Sequence, residues 1–235
     1  MLFRSSIMKQ LLLDWGTPRP QTFDTFVVGK NAELLALLTG ISQQKNSTLG
    51  HQMITVWGPS GSGKSHLCHA LLTQAHARLL TPSHAVSEFI PTADHTTYLL
   101  DDCDQLSEEQ QKEAFALFNH VRESGGCWVA CTNQPPAQLT LREDLRTRLG
   151  WGLIYELHGL SDEEKLDALS KSAQSRGLSL SPGVLPYLLT HFKRDMPFLS
   201  AMLDALDQYS LETQRPITLP LLRELLQSGE ANTSP

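Results

Sequence analysis

Three short runs in this 235-residue chain combine residue types that handle phosphate and a divalent cation. Gly58, Pro59, Ser60, Gly61, Ser62, Gly63, Lys64 and Ser65 run consecutively and fit Gly-x-x-x-x-Gly-Lys-[Ser/Thr] at each fixed position. Glycines let successive backbone N–H groups turn inward around phosphate oxygens. A helix opening at Lys64 adds about half a unit of positive charge there. In such a loop the lysine, here Lys64, reaches the β and γ phosphates of a nucleoside triphosphate, and the hydroxyl of Ser65 can ligate Mg2+. Tyr98, Leu99 and Leu100 lead into Asp101 and Asp102, an apolar strand ending in two carboxylates. Asp101 is the expected second metal anchor, and Asp102 stands where a carboxylate would polarise water. A solvated acidic turn is the plainer reading, since Asp104 follows closely. Trp128 to Thr132 is another apolar strand, and Asn133 after it is placed to orient an attacking water. With Pro135 and Pro136 behind it, Asn133 is also ordinary turn chemistry.

These residues need elements that aim them at one place. Met53–Trp57 reads as a short buried strand feeding the glycine loop, and Lys64–Ala77 as the helix leaving it. Residues 78–81, 97–101, 128–132 and 153–157 read as further strands. Asn31–Gln44 carries Leu34, Leu35, Leu37, Leu38 and Ile41 on one helical stripe, and Ser107–Glu123 turns Ala114, Phe115, Leu117, Phe118 and Val121 inward. Strand–helix alternation of this kind predicts an α/β fold with a parallel sheet covered by helices. After Leu157 the pattern is helical. Ser161 and Glu164 form a capping box that opens a helix, and Gly177 stops it. Residues 182–192, 196–209 and 219–226 read as three more helices. The expected organisation is an arm over 1–22, an α/β subdomain over 23–160, a small all-helical subdomain over 161–228 and a polar tail over 229–235.

Composition narrows the class. Hydrophobic residues are 40% and charged residues 19%, with 15 Gly and 13 Pro, which excludes a disordered or fibrous chain. The net charge is −6. Residues 1–160 hold 12 basic and 15 acidic side chains and the remainder 7 and 10, so neither part suggests an autonomous DNA-binding module. No apolar run approaches the ~20 residues that cross a bilayer. Residues 1–8 make a poor signal peptide, so a cytoplasmic protein without membrane contact is expected. Cys68, Cys103, Cys127 and Cys131 lack Cys-x-x-Cys spacing and fall in or beside buried elements, the pattern of free core thiols. His66 and His69 share a helix, but no third ligand accompanies them and a metal pair is not expected.

Taken together, these residues resemble the AAA+ ATPase superfamily and, within it, the DnaA group. Thr22-Phe-Asp-Thr-Phe-Val-Val-Gly-Lys-Asn31 resembles the entry segment that lines the adenine pocket, which implies nucleotide contact for Phe26, Val27 and Val28. Lys64-Ser-His-Leu-Cys-His-Ala70 resembles the Gly-Lys-Thr-His-Leu-Leu-His-Ala run of DnaA and adds His66 to that set. Leu145-Arg-Thr-Arg148-Leu-Gly-Trp-Gly152 resembles its Arg-Phe-Gly-Trp-Gly segment. The resemblance covers about Phe23 to Leu226. It implies an AAA+ core with a helical lid, binding ADP or ATP with Mg2+. It places Arg148 at the arginine-finger position, entering the nucleotide site of a neighbouring subunit. Arg194, in Lys193-Arg194-Asp195-Met196, matches the lid arginine that contacts phosphate. A finger at one edge and a nucleotide site at the other permit a head-to-tail homo-oligomer.

The arm carries a second resemblance. Gln10-Leu11-Leu12-Leu13-Asp14-Trp15 resembles the sliding-clamp-binding motif, in which Gln10 hydrogen-bonds in a polar subpocket while Leu11, Leu13 and Trp15 fill an apolar cleft. A DnaA-like core, a clamp motif and the expected lack of a DNA-reading domain after the lid resemble the Hda family. That resemblance implies docking on the DNA-loaded polymerase clamp and presentation of Arg148 to ATP held by DnaA, whose hydrolysis prevents re-initiation of replication. DNA contact is then indirect, through the clamp, which would bring the protein to the nucleoid. Intrinsic ATPase activity is expected to be weak at most. Two other readings stand beside this one. A helicase-loader-like or other DNA-dependent ATPase would turn over ATP through Lys64, Asp101 and Asp102. A nucleotide-binding scaffold would drive assembly without a finger.

Overall fold

The computed structural model of the chain describes residues 20–43, 52–74, 76–92, 97–192 and 194–224. Gln10, Leu11, Leu13 and Trp15 lie outside these residues. The rest forms two compact units, one over Pro20–Gly159 and one from Leu160 onward.

The first unit contains helix α1 (Ala32–Gln43), strand β1 (Met53–Trp57), helix α2 (Lys64–Gln74), strands β2 (Ala77–Leu80) and β3 (Thr97–Leu100), and helix α3 (Glu108–Ser124). Strand β4 (Cys127–Thr132), helix α4 (Glu143–Leu149) and strand β5 (Leu153–Glu156) complete it. All strand pairs are parallel, in the order β2-β3-β4-β1-β5. Strands of a parallel sheet covered by helices are buried on both faces, which is why β3 and β4 read as continuous apolar runs. Their side chains alternate between two cores. Tyr98, Leu100, Trp128 and Ala130 face the core that α3 and α4 cover, with Phe118 edge-on to Trp128 at 5.3 Å. Leu99, Val129, Cys131, Ile54 and Val56 face the core shared with α1 and α2. Because β1 lies between β4 and β5, the loop leaving it opens at the carboxyl ends of the strands, where the strand order reverses.

Local chemistry sets the element ends. Ser107 caps α3, its Oγ accepting from Gln110 N while Gln110 Oε1 accepts from Ser107 N at 2.9 Å, and Gly125 ends the helix in the left-handed region. Helix α2 stops at Gln74 rather than at the expected Ala77. Ala77 instead opens β2 and pairs with Thr97, since the parallel ladder outweighs alanine's helix propensity. Phe115, expected inward, is only half-buried and lies under the Arg148 guanidinium. At Gly152 the chain has φ +102°, and a Cβ would meet Met53 O at 2.3 Å. Gly152→Ala is therefore expected to destabilise the protein by about 3 kcal/mol or more. An unchanged urea midpoint would show that the β1–β5 contact accommodates the extra atom.

The second unit holds helices α5 (Asp162–Ser175), α6 (Val184–His191) and α7 (Met196–Thr213), and a helical run over 219–224. The Ser161–Glu164 capping box is present, with Glu164 Oε2 accepting from Ser161 N at 2.7 Å, and Gly177 follows α5 with φ +72°. Leu169, Val184, Leu188, Leu199, Leu203 and Leu221 centre its core.

Candidate functional site

Gly58 continues the sheet, its N donating to Thr132 O at 3.1 Å. It sits so close to β5's exit that a Cβ would meet Leu157 O at 2.4 Å. Gly61 and Gly63 then take φ +79° and +108°, a conformation that L side chains rarely adopt. A Cβ on Gly63 would meet Phe26 Cε2 at 2.9 Å, so the entry segment lies against the loop at its second obligatory glycine. Helix α2 starts at Lys64, and Leu67 N is the first of its amides to find a backbone carbonyl, Gly63 O at 3.1 Å. The amides before it lack an intrahelical carbonyl, as at any helix N-terminus, and are donors that an anion could use. Ser62 Oγ is buried and has no hydrogen-bond partner among the described residues. Ser65 is exposed.

Lys64 is only 5% exposed. Its Nζ donates to Gly58 O at 2.7 Å, Pro59 O at 3.0 Å and Asn133 Oδ1 at 3.0 Å. Asn133 is held at its other end as well, Nδ2 donating to Asp104 Oδ2 at 2.9 Å and its backbone N to Asp104 Oδ1 at 3.3 Å. The side chain that the sequence offered as a water-positioning amide is thus strung between the loop lysine and a third carboxylate. Asp101 is buried and accepts from Asp102 N at 3.1 Å. Asp102 adopts a left-handed backbone, φ 49°, which turns the chain sharply after β3. Burial raises the pKa of Asp102, repulsion from Asp101 and Asp104 raises it further, and Lys64 opposes the rise. One ammonium against three carboxylates leaves the site with excess negative charge. A hydroxyl such as Ser65 and a carboxylate such as Asp101 are hard oxygen donors of the kind that suits Mg2+.

The entry segment is fastened at two points. His66 Nε2 donates to Thr22 O at 2.8 Å, and the ring stands edge-on to Phe26 at 5.3 Å. Asn31, 4% exposed, donates through Nδ2 to His158 O at 2.9 Å and accepts His158 N at 2.8 Å. Val27 and Val28 are half-buried between these points. Burial holds the His66 ring below its ordinary pKa against the upward pull of the Thr22 carbonyl, and His69 adds to the lowering. The unfolded chain takes up a proton at this ring at about pH 6.5, where the folded chain does not. Its contribution to stability is therefore complete above that pH and is lost as pH falls below it. Between about pH 7.5 and 5.5 the native chain should lose more stability in urea titrations than His66→Asn. Equal losses would free His66 of that role.

Arg148 lies on α4, its guanidinium 5.5 Å from the Phe115 ring and 6.0 Å from the Phe118 ring. Among the described residues no carboxylate pairs with it. Arg142, one of its neighbours, is engaged: its NH2 group meets Asp144 Oδ2 at 2.7 Å, with Glu108 Oε1 3.9 Å from NH1. A cleft of about 650 Å³ lies along this face between Phe115, Arg142, Thr147 and Arg148. In the helical unit, Arg194 is exposed just before α7 and pairs with Asp162 Oδ2 at 3.0 Å. Asp104 and Asn31 are the two residues whose roles the sequence did not disclose.

Comparison with known proteins agrees with this fold. A family model described as the bacterial DnaA ATPase domain matches residues 83–156, and one described as the Hda lid domain matches residues 162–226. Domain III of the Thermotoga maritima replication initiation protein DnaA superposes with a TM-score of 0.71 at 20% identity, covering 89% of this chain and 97% of that one. AMPPCP-bound DnaA from Aquifex aeolicus gives 0.67 at 19% identity, covering 84% and 68%. The Holliday junction branch migration motor RuvB of Thermotoga maritima gives 0.63 at 15% identity, covering 89% and 72%. At such identities the structural likeness speaks for the fold. The chain has the α/β AAA+ fold, and the match of residues 83–156 of its core to the DnaA ATPase model and of its helical unit to the Hda lid model is consistent with an Hda-family protein.

Proposed function

We propose that this protein binds ADP or ATP with Mg2+, docks on the DNA-loaded sliding clamp through Gln10, Leu11, Leu13 and Trp15, and stimulates hydrolysis of ATP held by DnaA. The observation that carries the reading is Arg148, a half-buried guanidinium held over two aromatic rings with no carboxylate to neutralise it among the described residues. A planar cation steadied by ring faces keeps its donor fork available for phosphate oxygens on another molecule. The AMPPCP seen in a DnaA of the same fold supports nucleotide binding.

Each residue of the site has a part. The loop amides and Lys64 would hold the phosphates, and Phe26, Val27, Val28 and His66 would line the base end. Ser65 and Asp101 would hold Mg2+, which when bound offsets phosphate charge. Asn133 and Asp104 fix the Lys64 ammonium in the loop, and Asp102 is the carboxylate nearest to a water-polarising role. Arg194 would contact phosphate from the lid. Arg148 acts outward, on the charge that builds on the transferring phosphoryl group in the DnaA site.

The test is conversion of DnaA-bound ATP to ADP in a reconstituted mixture with clamp-loaded DNA. Addition of this protein should accelerate it, and only when the clamp is present. A rate unaffected by the protein would sink the reading. The arm has its own readout. Gln10→Ala with Leu11→Ala should weaken clamp binding in a pull-down by at least ~30-fold, about 2 kcal/mol for the loss of an anchoring side chain. A DNA-dependent ATPase is the second reading, favoured by the complete glycine loop with Asp101 and Asp102 beside it. Strong stimulation of the protein's own turnover by single-stranded DNA, without DnaA, would select it.

A further inference from the structure

Cys68 and Cys131 are 63 residues apart, yet the fold brings their sulfurs to 3.5 Å. Cys68 lies one helical turn beyond Lys64 on α2, and Cys131 lies on β4 opposite Val56 of β1. Both are 1% exposed. Strand β3 is the next neighbour of β4, and the carboxylate that follows it, Asp101, completes the group: the two sulfurs and a carboxylate oxygen all lie within 4.8 Å of one another. Tetrahedral Zn2+ with Zn–S bonds of about 2.3 Å separates two thiolates by about 3.8 Å. The sulfurs therefore already stand near the spacing of one edge of such a tetrahedron. Thiolates select soft or borderline cations over Mg2+. Asp101 and Asp102 also set negative charge near the Cys68 sulfur, a field that attracts a cation. A divalent cation replacing the thiol protons would relieve that field.

We propose that Cys68, Cys131 and Asp101 form a binding site for a thiophilic divalent cation such as Zn2+ or Cd2+, set directly behind the phosphate loop. Asp101, at 7% exposure the most accessible of the three, is the side from which an ion enters. Asp101 is also the residue assigned to Mg2+ above, so a soft ion should lower affinity for the Mg2+–nucleotide complex. That consequence rests on the nucleotide reading; the metal site itself does not.

The experiment is a Cd2+ titration of the full, reduced, nucleotide-free chain, followed by thiolate-to-metal charge-transfer absorption. One equivalent should bind, with the absorption of two thiolates and release of their protons. Even outer-shell changes shift metal affinity 10–100-fold. Loss of a direct ligand in Cys68→Ser or Cys131→Ser should therefore weaken binding by at least ~100-fold, while Cys127→Ser leaves it unchanged. As a check that needs no variant, Zn2+ should slow alkylation of Cys68 and Cys131 in the native chain by at least ~10-fold and leave Cys127 unaffected. Absence of stoichiometric uptake, equal uptake in the Cys68→Ser and Cys131→Ser chains, or unprotected Cys68 and Cys131 would each overturn the proposal. If Cd2+ binds in this way but Zn2+ leaves ADP affinity unchanged, the metal site stands and the shared role of Asp101 falls.

Discussion

Arg148→Ala is expected to leave nucleotide binding intact and to reduce stimulation of DnaA-bound ATP hydrolysis by at least ~10³-fold. An arginine finger supplied in trans is worth about 10³–10⁵ in rate because it meets charge that appears only in the transition state. The folded chain should survive the change. Arg148 makes two ring contacts and, among the described residues, no ion pair, so its removal forfeits about 1 kcal/mol of cation–π energy. Arg142, the residue that precedes α4, supplies the control. Its guanidinium is committed to Asp144, and Arg142→Ala should leave most of the stimulation. Arg148→Lys separates charge from geometry. Lysine keeps the charge but loses the planar fork that binds two phosphate oxygens and stacks on Phe115 and Phe118, so it should recover little of the rate. Full stimulation by Arg148→Ala with clamp-loaded DNA would remove the finger from the mechanism.

What the sequence disclosed and what it hid divide along sequence distance. The phosphate loop was legible because its donors are consecutive: Gly58 to Ser65 specify the turn, and Met53–Trp57 before it is an apolar run of strand length. The strands β3 and β4 were legible for the same reason, since burial on both faces leaves an unbroken apolar signal. Helix α4 was not read as a helix. It has seven residues, of which Leu145 and Leu149 are buried, too few for a periodic stripe. Contacts that depend on strand order were equally hidden. Alternation of strands and helices announces a parallel sheet but does not order it, so nothing in the chain said that β4 would separate β1 from β3. The Asn133–Asp104 clamp, the Asn31–His158 pair and the meeting of Cys68 with Cys131 follow only from that order and from the packing of α1 and α2 on the sheet. Asp104 had been visible as one more acid in an acidic turn. Its use became apparent only when β4 delivered Asn133 beside it.

Lys64→Ala tests the opposite end of the mechanism, and its effect on nucleotide affinity should be the largest of any single change in the loop. Hydrogen bonds to charged groups contribute about 1.5–3 kcal/mol each. On the proposed reading the ammonium would meet the β and γ phosphates of ATP, so its loss should weaken ATP binding by at least ~100-fold, measured by calorimetric titration of the folded variant. The consequences extend past the lost contacts. Lys64 is the cation that opposes the upward pKa shift of Asp102 and the donor that Asn133 Oδ1 accepts from. Without it Asp101, Asp102 and Asp104 face one another with no counter-charge in the loop, and Asp102 should titrate higher still. Affinity retained within a few-fold would mean that the backbone amides alone recognise phosphate. Crossing this variant with the DnaA assay separates two roles of the protein's own nucleotide. If Lys64→Ala loses both nucleotide and stimulation while Arg148→Ala loses only stimulation, bound nucleotide is needed for the finger to be presented. If Lys64→Ala loses nucleotide and still stimulates, Arg148 is set by α4 and the rings of α3 alone, and the phosphate loop serves some other step than activation of DnaA.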